Sequence, residues 1–153
     1  MKPFIYFATV ERVVDGDTIY FDIDMGFDIW KKHVSVRLKG IDTPEPRTRD
    51  LLIKQFGLLA SAKVHQLLPV GKQVLIETEL DKTGKFGRVL ANVWLPENMV
   101  CLNEYLLDNN YAVVYQGQSK ELIKEAHLHN FRYLVESGEV ILNEGLSLPI
   151  QPQ

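Results

Sequence analysis

The sequence predicts an α+β fold: a five-stranded antiparallel OB-fold barrel with three helices. Three observations lead there. Five segments alternate apolar and polar residues with the two-residue period of a strand. Between the third and fourth segments the period lengthens to that of a helix. Two further helical patterns follow the fifth. Three strands, a helix, two strands and then helices is the order of that barrel, although a fold alone assigns no function.

The elements read in turn as follows. "IYFATVERVV" (5–14) is rich in β-branched and aromatic residues and forms the first strand. "DGDT" is a turn, in which Gly16 is free to take a positive φ. "IYFDID" (19–24) and "HVSVRLKG" (33–40) are strands two and three, joined through a long hairpin, 22–36, with "MGFDIWKK" at its tip. The prolines of "DTPEPR" stop any regular element. From Phe56 onward, Leu59, Ala60, Val64, Leu67 and Leu68 share one helical face, and Pro69 and Gly71 close the helix. "KQVLIETEL" (72–80) and "RVLANVWL" (88–95) are strands four and five, with Trp94 pointing into the core. "MVCLNEYLLDNN" gives a short helix and "YAVVY" a brief extended piece. Ser119 caps a third helix that carries Leu122, Ile123, Ala126, Asn130 and Leu134 to about Ser137. Residues 1–138 are then one OB domain, and 139–153 a C-terminal tail without periodicity, mobile or draped on the surface.

Composition narrows the classes. The single Cys101 leaves no intrachain disulfide and no cysteine zinc cluster, and fits a buried small hydrophobe at a helix start. No apolar run is long enough to cross a bilayer. The N-terminus runs directly into strand pattern, so a cytoplasmic protein is expected. A monomer is the separate expectation for its assembly. With a net charge of −3, bulk electrostatics will not draw the chain onto nucleic acid. Yet between Asp28 and Lys54 seven basic residues face four acidic ones. Non-specific binding to duplex DNA should therefore be weak, with single strands or ends preferred.

The candidate chemistry gathers where strands stop. Asp17 follows strand one and Asp42 follows strand three; two carboxylates with a backbone carbonyl would suit a hard cation. Taken singly, "DGDT" and "DTPE" read first as turns whose Asp side chains bond local amides. Arg37 and Arg88 are suited to clamp a phosphate, or to lie on the surface. Glu45, between Pro44 and Pro46, is a water-activating base, an outer metal partner or a solvated acid. His127 and His129 lie two apart on a helix and face different ways, so a shared metal is not expected; His33 and His65 read as structural or exposed. Trp30, beside Lys31 and Lys32, offers either a nucleic-acid contact or packing.

Jointly, "VVDGDT", "VRLKGIDTPE" and "GKFGR", in that order, resemble the staphylococcal nuclease (thermonuclease) family, from about Val10 to Val135. The resemblance implies a Ca²⁺-dependent endonuclease acting on DNA or RNA and leaving 3′-phosphate and 5′-hydroxyl ends. It makes Asp17, Asp42 and the Thr43 carbonyl the Ca²⁺ ligands, and Glu45 the group that positions or deprotonates water. Arg37 and Arg88 would bind the scissile phosphate. Lys85 would contact the substrate, with Phe86 standing where the family has a tyrosine. Tyr115, with Tyr111 as the alternative, would stack on a base. An inhibitory or regulatory partner is left open. The competing reading is a non-catalytic OB-fold module that binds nucleic acid or protein, and relatives of that kind typically lack these acids and arginines.

Overall fold

The computed structural model describes residues 3–81 and 88–150; Lys85 and the rest of the expected turn at 82–87 lie outside them. Strands β1 (Ile5–Asp15), β2 (Thr18–Asp24), β3 (Trp30–Leu38), β5 (Gln73–Leu80) and β6 (Val89–Leu95) make the barrel, in the order β3-β2-β1-β5-β6. Short strand β7 (Val100–Cys101) extends the same sheet by pairing with β6, while β4 (Ile41–Asp42) and β8 (Val113–Val114) pair with each other in a separate two-stranded sheet. Helices α1 (Leu51–Leu67), α2 (Leu102–Asp108) and α3 (Lys120–Glu136) complete the chain.

The barrel is closed by β3 pairing with β6 in parallel, Val36 opposite Val89 and Leu38 opposite Ala91. That corrects the purely antiparallel barrel expected from the sequence. Strand directions cannot alternate all the way round a closed ring of odd number, so one seam must be parallel. β1 is long enough to pair with both neighbours, and it is bulged between Val10 and Arg12 and again between Val13 and Asp15. The buried Asn103 of α2 stitches the seam. Its Oδ1 accepts from the Val93 amide at 3.1 Å, and its Nδ2 donates to the carbonyls of Lys39 and Ala91 at 2.9 and 3.1 Å.

Alternate residues of every barrel strand fill the interior, among them Val10, Ile19, Phe21, Val36, Leu38, Ile76 and Val93. On β6 the inward phase belongs to Ala91, Val93 and Leu95, so Trp94 sits half-buried on the outer face rather than in the core. The β2–β3 turn is tighter than expected: Met25 N donates to Ile29 O at 2.8 Å, and Trp30, Lys31 and Lys32 belong to the strand. Helix α1 begins at Leu51, ahead of the expected Phe56, because the Asp50 carboxylate caps it by accepting from the amides of Leu52 and Ile53.

A second, smaller core joins α1 to α3. Phe56 and Phe131 stack with ring centroids 4.0 Å apart, beside Leu134. Residues beyond α3 lie over this seam: Val140, Leu142 and Leu148 pack on it, and Gln55 bonds the Ile141 carbonyl and the Asn143 amide.

Candidate active site

Three connections gather the charged residues at one end of the barrel. Thr18 pairs with Arg37 across β2 and β3. The Leu38 amide donates to the Asp17 carbonyl at 2.9 Å, holding the β1–β2 turn against the end of β3. The Thr43 amide donates to Asp17 Oδ2 at 3.1 Å, and β4 pairs with β8, Asp42 opposite Val113.

Two glycines permit the close approach. Gly16 does not use the positive φ open to a glycine. What it needs is the absence of a side chain: a Cβ there would lie 2.9 Å from Thr43 Cγ2 and 3.0 Å from Ala60 Cβ. At Gly57, inside α1, a Cβ would lie 2.7 Å from Pro44 O and Pro46 N. The helix therefore presses directly on the backbone that carries Glu45.

Arg37 is the centre of the charge pattern. Its Nη2 is 3.1 Å from Asp42 Oδ1 and 3.6 Å from Asp17 Oδ2, and it donates to Ile41 O at 3.1 Å. Burial favours the neutral form, but Asp17 and Asp42 outweigh it and raise the guanidinium pKa further. The Tyr115 ring centroid lies 5.4 Å from the Arg37 Cζ atom. Asp42 is held from its other side as well, its Oδ2 2.8 Å from His127 Nε2. Burial alone would push the Asp42 carboxyl up; the His127 and Arg37 interactions together hold it below its ordinary value. His127 is buried, and its Nδ1 has no hydrogen-bond partner among the described residues.

Beside this group lies a second carboxylate–arginine pair. Arg47 Nη2 is 2.9 Å from Asp15 Oδ2, and the Arg47 amide donates to Glu45 Oε1 at 2.8 Å. Burial first, and then neighbouring Asp17, raises the Asp15 carboxyl to about 6 despite Arg47. Arg88 is braced by Asp81, whose Oδ2 lies 2.8 Å from Arg88 Nη2 and 2.9 Å from Nε.

Apart from Asp81, which stands behind Arg88, these side chains line one cleft of about 710 Å³. Of the residues singled out from sequence, Asp17, Arg37, Asp42, Thr43, Glu45, Arg88 and Tyr115 all line it. Lys85 is outside the described residues, and Tyr111 packs against the barrel core. Sequence reasoning missed Asp15, Arg47 and His127. The one available signal for His127 was its place on α3, in step with Ile123, Asn130 and Leu134 on the inward stripe.

Among the described residues, no group of three or more His, Cys, Asp or Glu side chains gathers as a metal cluster. A hard cation such as Ca²⁺ could instead use the two carboxylates of Asp17 and Asp42 with the Thr43 carbonyl. That donor set is all oxygen, as such an ion requires, and water or phosphate would complete it. The two carboxylates already converge on one cationic nitrogen, that of Arg37.

A small barrel with a cleft of paired arginines and carboxylates at one end is the class of protein that these observations define. The family model described as "Staphylococcal nuclease homologue" matches residues 35–137, and the chain belongs to that family. It is 39% identical over 90 residues to a thermonuclease of Staphylococcus intermedius, covering 59% of this chain and 49% of that one. It is 33% identical over 116 residues to the SPbeta prophage-derived endonuclease YokF of Bacillus subtilis, covering 74% and 36%. An uncharacterized protein of Methanocaldococcus jannaschii is 33% identical over 130 residues, covering 72% and 59%. The chain thus spans about half the length of several of these relatives. No helix of the described residues is long and apolar enough to cross a membrane.

Proposed function

We propose that this protein is a Ca²⁺-dependent endonuclease that hydrolyses phosphodiester bonds of DNA, RNA or both, leaving 3′-phosphate and 5′-hydroxyl ends. The observation that carries this reading is that Arg37 and Arg88 line the same cleft as Asp17, Asp42 and Glu45.

Hydrolysis requires a water oxygen to attack phosphorus while the bond to the 5′-oxygen breaks. Negative charge grows on the phosphoryl oxygens as it does so. Two guanidiniums fixed by carboxylates meet that charge without reorganising, and each can donate two parallel hydrogen bonds. Asp42 and Asp17 hold Arg37, and Asp81 holds Arg88. Glu45 orients the attacking water or accepts its proton; with an exposed carboxylate, its contribution rests on placement. Asp17, Asp42 and the Thr43 carbonyl would hold Ca²⁺, which supplies a further positive charge to the phosphoryl oxygens. Tyr115, exposed at the rim, offers a face for a base, and Lys85 a further cation for the substrate.

The test is cleavage of plasmid and of single strands by pure protein, with Ca²⁺ and with chelator. Ca²⁺-dependent cleavage is expected. Binding without cleavage under any divalent ion would leave the non-catalytic module instead.

A further inference from the structure

The cleft is far larger than one phosphate, at about 710 Å³, and the residues discussed so far do not account for all of its walls. One wall is the first half of α3, which presents Lys120 and Lys124. Four residues apart, they stand one above the other on the same face of the helix. Both are exposed. Glu121 and Glu125, one residue further on, point about 100° round the helix and do not line the cleft.

The other cations of the cleft are paired. Arg37 has Asp17 and Asp42, Arg47 has Asp15 and Glu45, and Arg88 has Asp81. Lys120 and Lys124 alone among the cleft's lysines and arginines have no ion pair or side-chain hydrogen bond within the described residues. Arginines tied to carboxylates are pre-set for one geometry. Free lysines on long stems are point charges that can follow a moving anion.

We infer that Lys120 and Lys124 form a second phosphate-binding position, so that the substrate is a polynucleotide strand held by a phosphate next to the one that reacts. This rests on the nuclease reading for the identity of the reacting phosphate. It adds that a strand, DNA or RNA, is gripped beyond the reaction centre, and that a substrate with a single phosphate cannot use the α3 wall.

The experiment compares the unaltered protein with the double variant Lys120→Ala/Lys124→Ala. One arm measures binding of a labelled single strand, of DNA and of RNA, in chelator over a series of salt concentrations. Removing the two ammonium groups should flatten the slope of log affinity against log salt by about 0.7 for each phosphate no longer neutralised. A second arm measures the preference in kcat/KM for a long strand over a dinucleoside monophosphate, which has only the reacting phosphate. That preference should fall by roughly tenfold in the variant. A second double variant, Lys63→Ala/Lys72→Ala, whose side chains lie outside the cleft, controls for loss of charge alone.

An unchanged slope and preference in the α3 variant would overturn the inference, as would a slope flattened equally by the control variant. Failure of the nuclease reading looks different: the unaltered protein would cleave neither substrate, and the binding arm would still decide whether α3 holds phosphate.

Discussion

At one end of the β2–β3 ladder Thr18 faces Arg37; at the other Asp24 faces Trp30. The first end is tied down from all sides. Arg37 is enclosed by two carboxylates and a carbonyl, and Gly16 and Gly57 leave no room for a side chain. The second end is loose in the same terms. Phe27 at the turn is 98% exposed and, with Asp28, takes a positive φ that non-glycine residues rarely adopt. The ladder is continuous, so the contrast does not come from the strands. It comes from what is packed against each end, and it locates where the fold imposes strict geometry.

Four changes break or sharpen that contrast, from the largest effect to the smallest. Arg37→Lys keeps the charge between Asp17 and Asp42 but loses the planar fork. Turnover should fall by about 10²–10³-fold, while the melting temperature moves by only a few degrees; unchanged turnover would remove Arg37 from the chemistry.

Gly57→Ala gains roughly 1 kcal/mol of helix propensity. It also drives a methyl group into the 44–46 backbone, at a cost of about 1–3 kcal/mol. Denaturant unfolding should show net loss of stability, and turnover should fall because Glu45 is displaced. A stabilised variant with full turnover would show that the loop yields freely.

Asp15→Asn probes the buried acid. Burial raises the native carboxyl from its ordinary 3.8 to about 6, so the folded protein holds this proton more tightly than the unfolded chain. The stabilisation is complete below 3.8 and is lost as pH rises through about 6. Measured in chelator, the stability of the Asn variant should change less across that window than that of the unaltered protein. An identical pH profile would mean that Asp15 titrates normally.

At the loose end, Phe27→Asn should raise stability by roughly a few tenths of a kcal/mol, since Asn tolerates the left-handed region, and should leave turnover as it was. A large loss in either would show that the tip has a role in the fold or the site.

Much of the tight end was legible in the sequence because its residues sit where strands stop. Asp17, Arg37, Asp42 and Glu45 lie in or beside strand ends, but singly they read as turn or surface residues. It is the resemblance of the joined motifs to the staphylococcal nuclease family that singles them out, and barrel closure brings those ends together. His127 carried no such flag. It meets Asp42 from 85 positions away; the helical period of α3 turns it inward but does not say which residue it meets. The Asp15–Arg47 pair, 32 apart, was hidden for the same reason. Gly16 was noticed for the wrong physical cause, because a sequence shows that a glycine turns but not that a neighbour presses on it. The parallel seam was likewise invisible to strand patterning, which gives the number of strands and not how the ring closes. Trp94 was misplaced by one step of the strand period, enough to move it from the inner face to the outer.

The most direct measurement follows Ca²⁺ binding by calorimetry and strand cleavage in parallel, for the unaltered protein and for Asp42→Asn. One Ca²⁺ site that disappears in the variant, together with cleavage, is the expected result. Equal Ca²⁺ binding by both proteins, or cleavage that survives the substitution, would contradict the placement of metal and chemistry in this cleft.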